Sequence, residues 1–252
     1  MLLTIVGCSG SFPGPESPAS CYLLEAPHVG ATFRLVLDLG SGSLGELQKY
    51  VDLQSLDAVV LSHLHADHCL DLCGFYVVRK FHPDGHLGQI PVYGPKGTAD
   101  RMARAYDLSP DPGMWPEFDF RTFPPDSFEL GPFVVTVAQV DHPVDAFAVK
   151  VADGERSFVY SGDTGPCAAL EELAEDCDLL LAEASFMEGG DNPSNLHLTG
   201  KQAALAANRA GAGRLVLTHI PPWHDREAVL REAIPHFPGD TSLALPGATY
   251  VL

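Results

Sequence analysis

The chain has 252 residues, 46% of them hydrophobic and 19% charged, with a formal net charge of −18. That length suits one α/β domain of about 250 residues. Its apolar share excludes disorder, and no apolar run approaches the ~20 residues of a membrane-spanning helix.

Charge and cysteine usage narrow the field further. Against 33 Asp and Glu stand 15 Lys and Arg with no basic cluster, so long nucleic acid and membrane surfaces are not expected partners. A small anionic substrate stays compatible with this balance if positive charge gathers locally. The six cysteines are dispersed without a C-x-x-C pair, which predicts reduced thiols and a cytoplasmic protein. The N-terminus has no basic flank and turns glycine-rich, so it reads as a first strand and not as a secretion signal.

Short apolar segments at residues 4–6, 22–24 and 33–37, bounded by Gly, Pro or Ser, predict strands. Residues 58–61 (AVVL) form a continuous apolar run, as in a strand buried on both faces. A helix is expected over residues 69–81 and another over 98–106. Residues 108–133 are rich in Pro and aromatics and are expected to form a lid, a homodimer contact or an irregular excursion packed on the core. Strands follow at 134–138, 147–151 and 158–160. An amphipathic helix spans 167–177, and a buried strand spans 179–182. Thr199 and Gln202 have capping-box spacing ahead of an Ala-rich helix that stops at Gly211. A last strand occupies 215–217. Strands and helices alternate throughout, which makes the class α/β and the chain, 1–252, one domain.

Polar residues with metal-ligand chemistry fall at the carboxyl ends of these buried strands. His63, His65, Asp67 and His68 follow the run at 58–61, and His142 follows 134–138. Asp163 follows 158–160, Glu183 ends 179–182, and His219 follows 215–217. Groups so placed converge on one crevice. Imidazole nitrogens and carboxylate oxygens are donors for borderline cations such as Zn²⁺. One tetrahedral ion cannot easily use His63, His65, Asp67 and His68 from so tight a loop, which predicts two ions side by side.

Through His63-x-His65-x-Asp67-His68 the sequence resembles the metallo-β-lactamase superfamily. His142 in Asp-His-Pro, Asp163 in Ser-Gly-Asp-Thr-Gly and His219 in Leu-Thr-His-Ile-Pro-Pro extend the likeness over nearly the whole chain. The resemblance implies a four-layer αβ/βα sandwich with a dinuclear site for two divalent cations, zinc first, with manganese or iron as the other candidates. It implies that His63, His65 and His142 hold one ion, that Asp67, His68 and His219 hold the other, and that Asp163 bridges them. Glu183 and His197, lying between Asp163 and His219, resemble the pair found in tRNA 3′-processing endonucleases and their small phosphodiesterase relatives. There a carboxylate orients an imidazole that contacts phosphate or protonates a leaving oxygen. Asp67, His197 and Glu183 are thus the expected catalytic residues.

The gap from His142 to Asp163 leaves no room for the tRNA-gripping arm of those endonucleases. The chain is more similar to actinobacterial cyclic-nucleotide phosphodiesterases of this fold, through segments 7–11, 17–20, 61–72, 160–165 and 217–223. This resemblance implies hydrolysis of a small cyclic phosphodiester, 3′,5′-cyclic AMP to 5′-AMP, by a metal-bridging hydroxide. The alternatives are a tRNA-type nuclease, hydrolysis of another cyclic phosphodiester, and a non-catalytic metal-binding scaffold. Three secondary expectations accompany it. Asp38 would orient a metal histidine, backbone N–H groups of residues 7–11 would cradle phosphate, and Trp223, Phe75 and Tyr76 would wall a base pocket.

Overall fold

The computed structural model describes residues 1–252. The first half of the chain carries β1 (Leu2–Gly7), β2 (Cys21–His28), β3 (Ala31–Leu37), α1 (Ser43–Leu47), β4 (Ala58–Val60), α2 (Ala66–Cys69), α3 (Leu72–Phe81), β5 (Ile90–Gly94), α4 (Thr98–Ala105) and β6 (Phe118–Thr122). The second half carries β7 (Phe128–Leu130), β8 (Phe133–Gln139), β9 (Phe147–Ala152), β10 (Ser157–Tyr160), α5 (Ala168–Leu173), β11 (Leu179–Glu183), α6 (Gly200–Ala210), β12 (Arg214–Thr218), α7 (Arg226–Ala233), β13 (Asp240–Leu243) and β14 (Thr249–Val251).

Period-two burial sorts these strands into layers. Leu35 and Leu37 of β3, Ala58 and Val60 of β4, Phe158 and Tyr160 of β10, and Leu179 and Leu181 of β11 all point into one core between two sheets. The alternating residues Val36 and Val59 face outward, against Phe75 and Tyr76 of α3 and Met102 of α4. On the far side Val159, Leu180 and Leu215 meet Leu170 of α5, Ala203 and Ala207 of α6 and Val229 of α7. Three apolar interfaces therefore separate four layers, and the α/β sandwich expected from the sequence is present.

Each sheet has seven strands, in the orders β14-β1-β2-β3-β4-β5-β6 and β13-β12-β11-β10-β9-β8-β7. In the first, β1 to β3 pair antiparallel and β3 to β6 parallel. In the second, β7 to β10 pair antiparallel and β10 to β13 parallel. The parallel halves gather their carboxyl ends at one edge of the sandwich, where loops are free to carry function. No helix is long and apolar enough to cross a membrane.

Two expectations are corrected. The helix expected over residues 69–81 starts at Leu72 as α3 and is set apart from the short α2 before it, because Asp71 donates its backbone N–H to the Leu39 carbonyl (3.0 Å) while its carboxylate accepts from Leu44 N (2.8 Å). These contacts hold the end of β3 against the α2–α3 junction. Residues 108–133 are not irregular but supply edge strands to both sheets: β6 pairs parallel with β5, and β7 forms a hairpin with β8. Phe118 and Phe120 alternate with Asp119 and Arg121 and are buried, so these aromatics belong to the core and not to a lid. The helix after Thr199 forms as expected, with both arms of its capping box in place and Gly211 at φ 67° as its stop.

Leu181 lies fully buried between the sheets. Leu181→Ala should lower the unfolding free energy by about 2–5 kcal/mol in urea denaturation, whereas exposed Val251→Ala should stay within about 0.5 kcal/mol of the parent.

Candidate metal centre

The sequence-predicted ligands gather at that one edge of the sandwich. His63 and His65 lie in the loop after β4, with Asp67 and His68 in α2 immediately beyond. His142 lies past β8, Asp163 past β10 and His219 directly after β12. The chain turns sharply at two of these strand ends: Asp38 after β3 and His219 after β12 both adopt left-handed backbone, with φ 56° and 53°. Such conformations cost on the order of 1–3 kcal/mol in a non-glycine residue and persist only where surroundings enforce them. Close packing of the neighbouring loops does so. A Cβ on Gly10 would lie 2.2 Å from the His219 carbonyl oxygen, and one on Gly40 would lie 1.9 Å from that of Asp67.

Two sets of donor atoms result. In the first, His63 Nε2 is 3.0 Å from His65 Nδ1 and 3.6 Å from Asp163 Oδ2, and His142 Nε2 is 3.3 Å from His65 Nδ1. In the second, His68 Nε2 stands 3.2 Å from Asp163 Oδ1 and 3.5 Å from Asp67 Oδ2. His219 Nε2 is 3.3 Å from Asp163 Oδ2 and 3.7 Å from Asp67 Oδ2. Asp163 alone belongs to both sets.

The opposite ring nitrogens are held from behind. His68 Nδ1 donates to Asp38 Oδ2 (2.7 Å), His142 Nδ1 donates to the Leu196 carbonyl (2.9 Å), and His219 Nδ1 pairs with Ser20 Oγ (2.9 Å). His63 Nδ1 pairs with Ser62 Oγ at 3.1 Å, and Ser62 donates onward to Asp38 Oδ2 at 2.7 Å. The Tyr160 hydroxyl also donates to Asp38 (2.8 Å). Such partners fix ring orientation and raise ligand basicity. Asp38 therefore stands behind His68 as the sequence suggests. Ser20, Ser62 and Tyr160 were not read as site residues, and only their place beside recognised motifs hinted at them.

Electrostatics and unsatisfied atoms fit the same picture. Burial lowers the pKa of His63 well below normal and lowers those of His65 and His142, which keeps these rings neutral with lone pairs to give. Burial would raise the Asp163 carboxyl, but His219, His68 and His63 outweigh it and hold it far below the usual range. Burial likewise opposes protonation of His68, yet the charges of Asp163 and Asp38 push its pKa up. His68 Nε2, His219 Nε2 and Asp163 Oδ1 are buried with no hydrogen-bond partner. Unpaired buried polar atoms are costly, and nitrogen lone pairs facing one another need a cation between them. Five imidazoles and two carboxylates in two sets fit a dinuclear metal centre.

A third group adjoins the first two. His197 Nδ1 donates to Glu183 Oε1 at 2.8 Å, and it lies 4.0 Å from Asp163 Oδ2. Glu183 is fully buried and held by the backbone N–H groups of Thr164 (2.9 Å) and Ser185 (3.1 Å). Burial works against the His197 imidazolium, but Glu183 outweighs it and pushes its pKa up to about 9.

Two secondary expectations fail in part here. Of the loop at residues 7–11, the backbone N–H groups of Cys8, Ser9 and Gly10 are committed to Ser17, Pro18 and Ile220 and are not free to cradle phosphate. The expectation fails for these three, whereas Ser11 borders the cleft that contains His197. Phe75 and Tyr76 are core residues between the first sheet and its helices, whereas Trp223 borders a cleft that also contains His197.

A family model described as "Beta-lactamase superfamily domain" matches residues 34–220. The chain is 44% identical over 254 aligned positions to an uncharacterized protein of Mycobacterium leprae, covering 98% of this chain and 87% of that one. It is 31% identical to the probable metallo-hydrolase YhfI of Bacillus subtilis, covering 98% of both chains. The crystal structure of that metallo-β-lactamase fold protein superposes with a TM-score of 0.87 at 29% identity, covering 99% and 98% of the two chains. A ribonuclease Z of Myxococcus xanthus is 28% identical, covering 99% of this chain and 97% of its own. This chain belongs to the beta-lactamase superfamily. Within it, it is a metallo-hydrolase.

Asp163→Ala should abolish stoichiometric binding at both cation positions, read by elemental analysis after dialysis. Asp38→Ala should weaken cation affinity about 10–100-fold by competition with a chelator.

Proposed function

We propose that this hydrolase cleaves a small nucleoside phosphodiester, 3′,5′-cyclic AMP to 5′-AMP. The observation that carries the reading is the buried Glu183–His197 pair beside Asp163. Glu183 engages Nδ1 of His197, which leaves Nε2 for the substrate, and the raised pKa keeps a proton on that nitrogen at neutral pH. An imidazolium so placed suits protonation of a departing alkoxide.

Other residues of the site suit the remaining tasks. His63, His65, His142 and Asp163 would hold one cation, and Asp67, His68, His219 and Asp163 the second, with zinc best matched to so many imidazoles. Cations held there would supply positive charge against the phosphate oxygens and bring the pKa of a water to about 7. In the hydrolysis the oxygen of water joins phosphorus, the P–O3′ bond breaks, and His197 gives its proton to O3′. Glu183 holds the ring in place throughout.

A cleft of ≈ 420 Å³ beside His197 is lined by Phe186, Met187, Leu196, Pro221 and Trp223. Trp223 is 63% exposed, with its ring 5.0 Å from that of Phe12. An exposed aromatic pair at the mouth of an apolar cleft suits a nucleobase. All six cysteines are free, in keeping with the reducing cytoplasm.

The likeness to ribonuclease Z supports a second reading, a tRNA 3′-processing endonuclease. Two features favour the smaller substrate. Between His142 and Asp163 the chain holds β9, β10 and their turns, with no projecting arm. The 304 positions aligned with the Myxococcus enzyme exceed the 252 residues of this chain, so that enzyme carries segments without counterpart here. A net charge of −18 adds repulsion toward tRNA.

The test is product analysis after incubating zinc-loaded protein with cyclic AMP and with a tRNA precursor. Formation of 5′-AMP alone supports the proposal, and cleavage of only the tRNA precursor overturns it. His197→Ala should retain both cations and lose about 10²–10⁴-fold in kcat. Unchanged turnover would remove His197 from the reaction. Because the acid must be protonated, kcat should fall as pH rises through about 9. Glu183→Gln, which removes the charge that raises this pKa, should move that fall to lower pH.

A further inference from the structure

Twelve of the chain's 15 Lys and Arg side chains meet a carboxylate, carbonyl or hydroxyl partner. Lys96, Arg101 and Arg104 do not. In a protein with 33 acidic residues a flexible cation finds a carboxylate with little difficulty, so unpaired ones are informative. Arg104 points to open solvent from α4. Lys96 and Arg101 instead line one cleft of ≈ 450 Å³, whose walls include Leu64, His65 and Ala66. The one carboxylate on its wall, Asp145, accepts from Gln139 Nε2 at 3.3 Å and pairs with neither cation.

This cleft and the aromatic one share no lining residue, and each contains one histidine of the site, His65 here and His197 there. A substrate whose leaving group lies at His197 can therefore extend its other ester arm toward Lys96 and Arg101. A guanidinium fork and an ammonium together match the geometry and charge of a phosphate. Cyclic AMP has a single phosphate and leaves such a position empty.

We infer that the cleft beside His65 is an anion subsite in which Lys96 and Arg101 hold a second phosphate, carried by the nucleoside that stays on the scissile phosphorus. The inference rests on the phosphodiesterase reading above. It adds a substrate class, nucleoside 5′-phosphodiesters that bear a 3′-phosphate. In the reaction, water's oxygen joins the 5′ phosphorus, the P–O bond to the leaving group breaks, and the proton goes to the departing oxygen. The 3′-phosphate is untouched.

The test compares the p-nitrophenyl ester of thymidine 5′-phosphate with the same ester carrying a 3′-phosphate, using zinc-loaded protein. The 3′-phosphorylated ester should show a KM about tenfold lower at similar kcat. Lys96→Gln with Arg101→Gln should raise KM for that ester about tenfold more than for the plain one, and Arg101→Lys should recover part of the preference. Equal KM values in the parent protein overturn the subsite. So does an equal loss for both esters, which would indicate general steering of anions. If neither ester is cleaved, the phosphodiesterase reading fails, and calorimetry separates the two ideas. Thymidine 3′,5′-bisphosphate binding tighter than thymidine 5′-phosphate, with the difference lost in the double variant, upholds the subsite, and equal binding refutes it.

Discussion

A carboxylate withdrawn from water must be met by positive charge or by hydrogen-bond donors, because its desolvation otherwise costs several kcal/mol. Asp163 poses that requirement at the edge where the two sheets meet. It is 2% exposed, and the groups closest to it are imidazole nitrogens of His63, His68 and His219. Asp38, equally buried, makes an instructive contrast. Its oxygens accept from Ser62 N, Ser62 Oγ, Tyr160 OH and His68 Nδ1, so its hydrogen bonding is complete. Asp163 Oδ1 has no donor. One aspartate is finished by the protein and braces the ligands, while the other is finished only by a cation.

Topology brings these groups together without long-range irregularity. Each sheet runs antiparallel on one side and parallel on the other, and the parallel portions end at the same edge. Short polar loops then project from rigid strands buried on both faces. Asp38 and His219, two of the six non-glycine residues with left-handed backbone, sit at strand ends in this cluster, where the turn aims their side chains.

Much of this was legible in the sequence because the relevant signals are local. Apolar runs such as residues 58–61 and 179–182 mark strands with two buried faces, and the chemical residues follow them directly. The His63-to-His68 spacing identifies the chemistry, and Glu183 and His197 stand together in space although 14 residues separate them. What escaped is set by tertiary contact. Nothing local in Ser20 announces that its hydroxyl meets a ring 199 positions away. The pause between α2 and α3 comes from backbone bonds to residue 39, not from a helix breaker. Edge strand β6 hides among prolines because Phe118 and Phe120 bury against only one neighbouring strand. Phe75 and Tyr76 follow the site motif in sequence yet sit in α3, a separate helix whose inner face packs on the core of the first sheet.

The sharing of ligands across the sandwich has a mechanical meaning. Each donor set takes residues from the first half of the chain (His63 and His65, or Asp67 and His68) and from the second (His142, or His219, with Asp163). Neither half can assemble a complete coordination sphere by itself. Bound ions would thus act as clasps across the seam, so that prying the halves apart means giving up the metal.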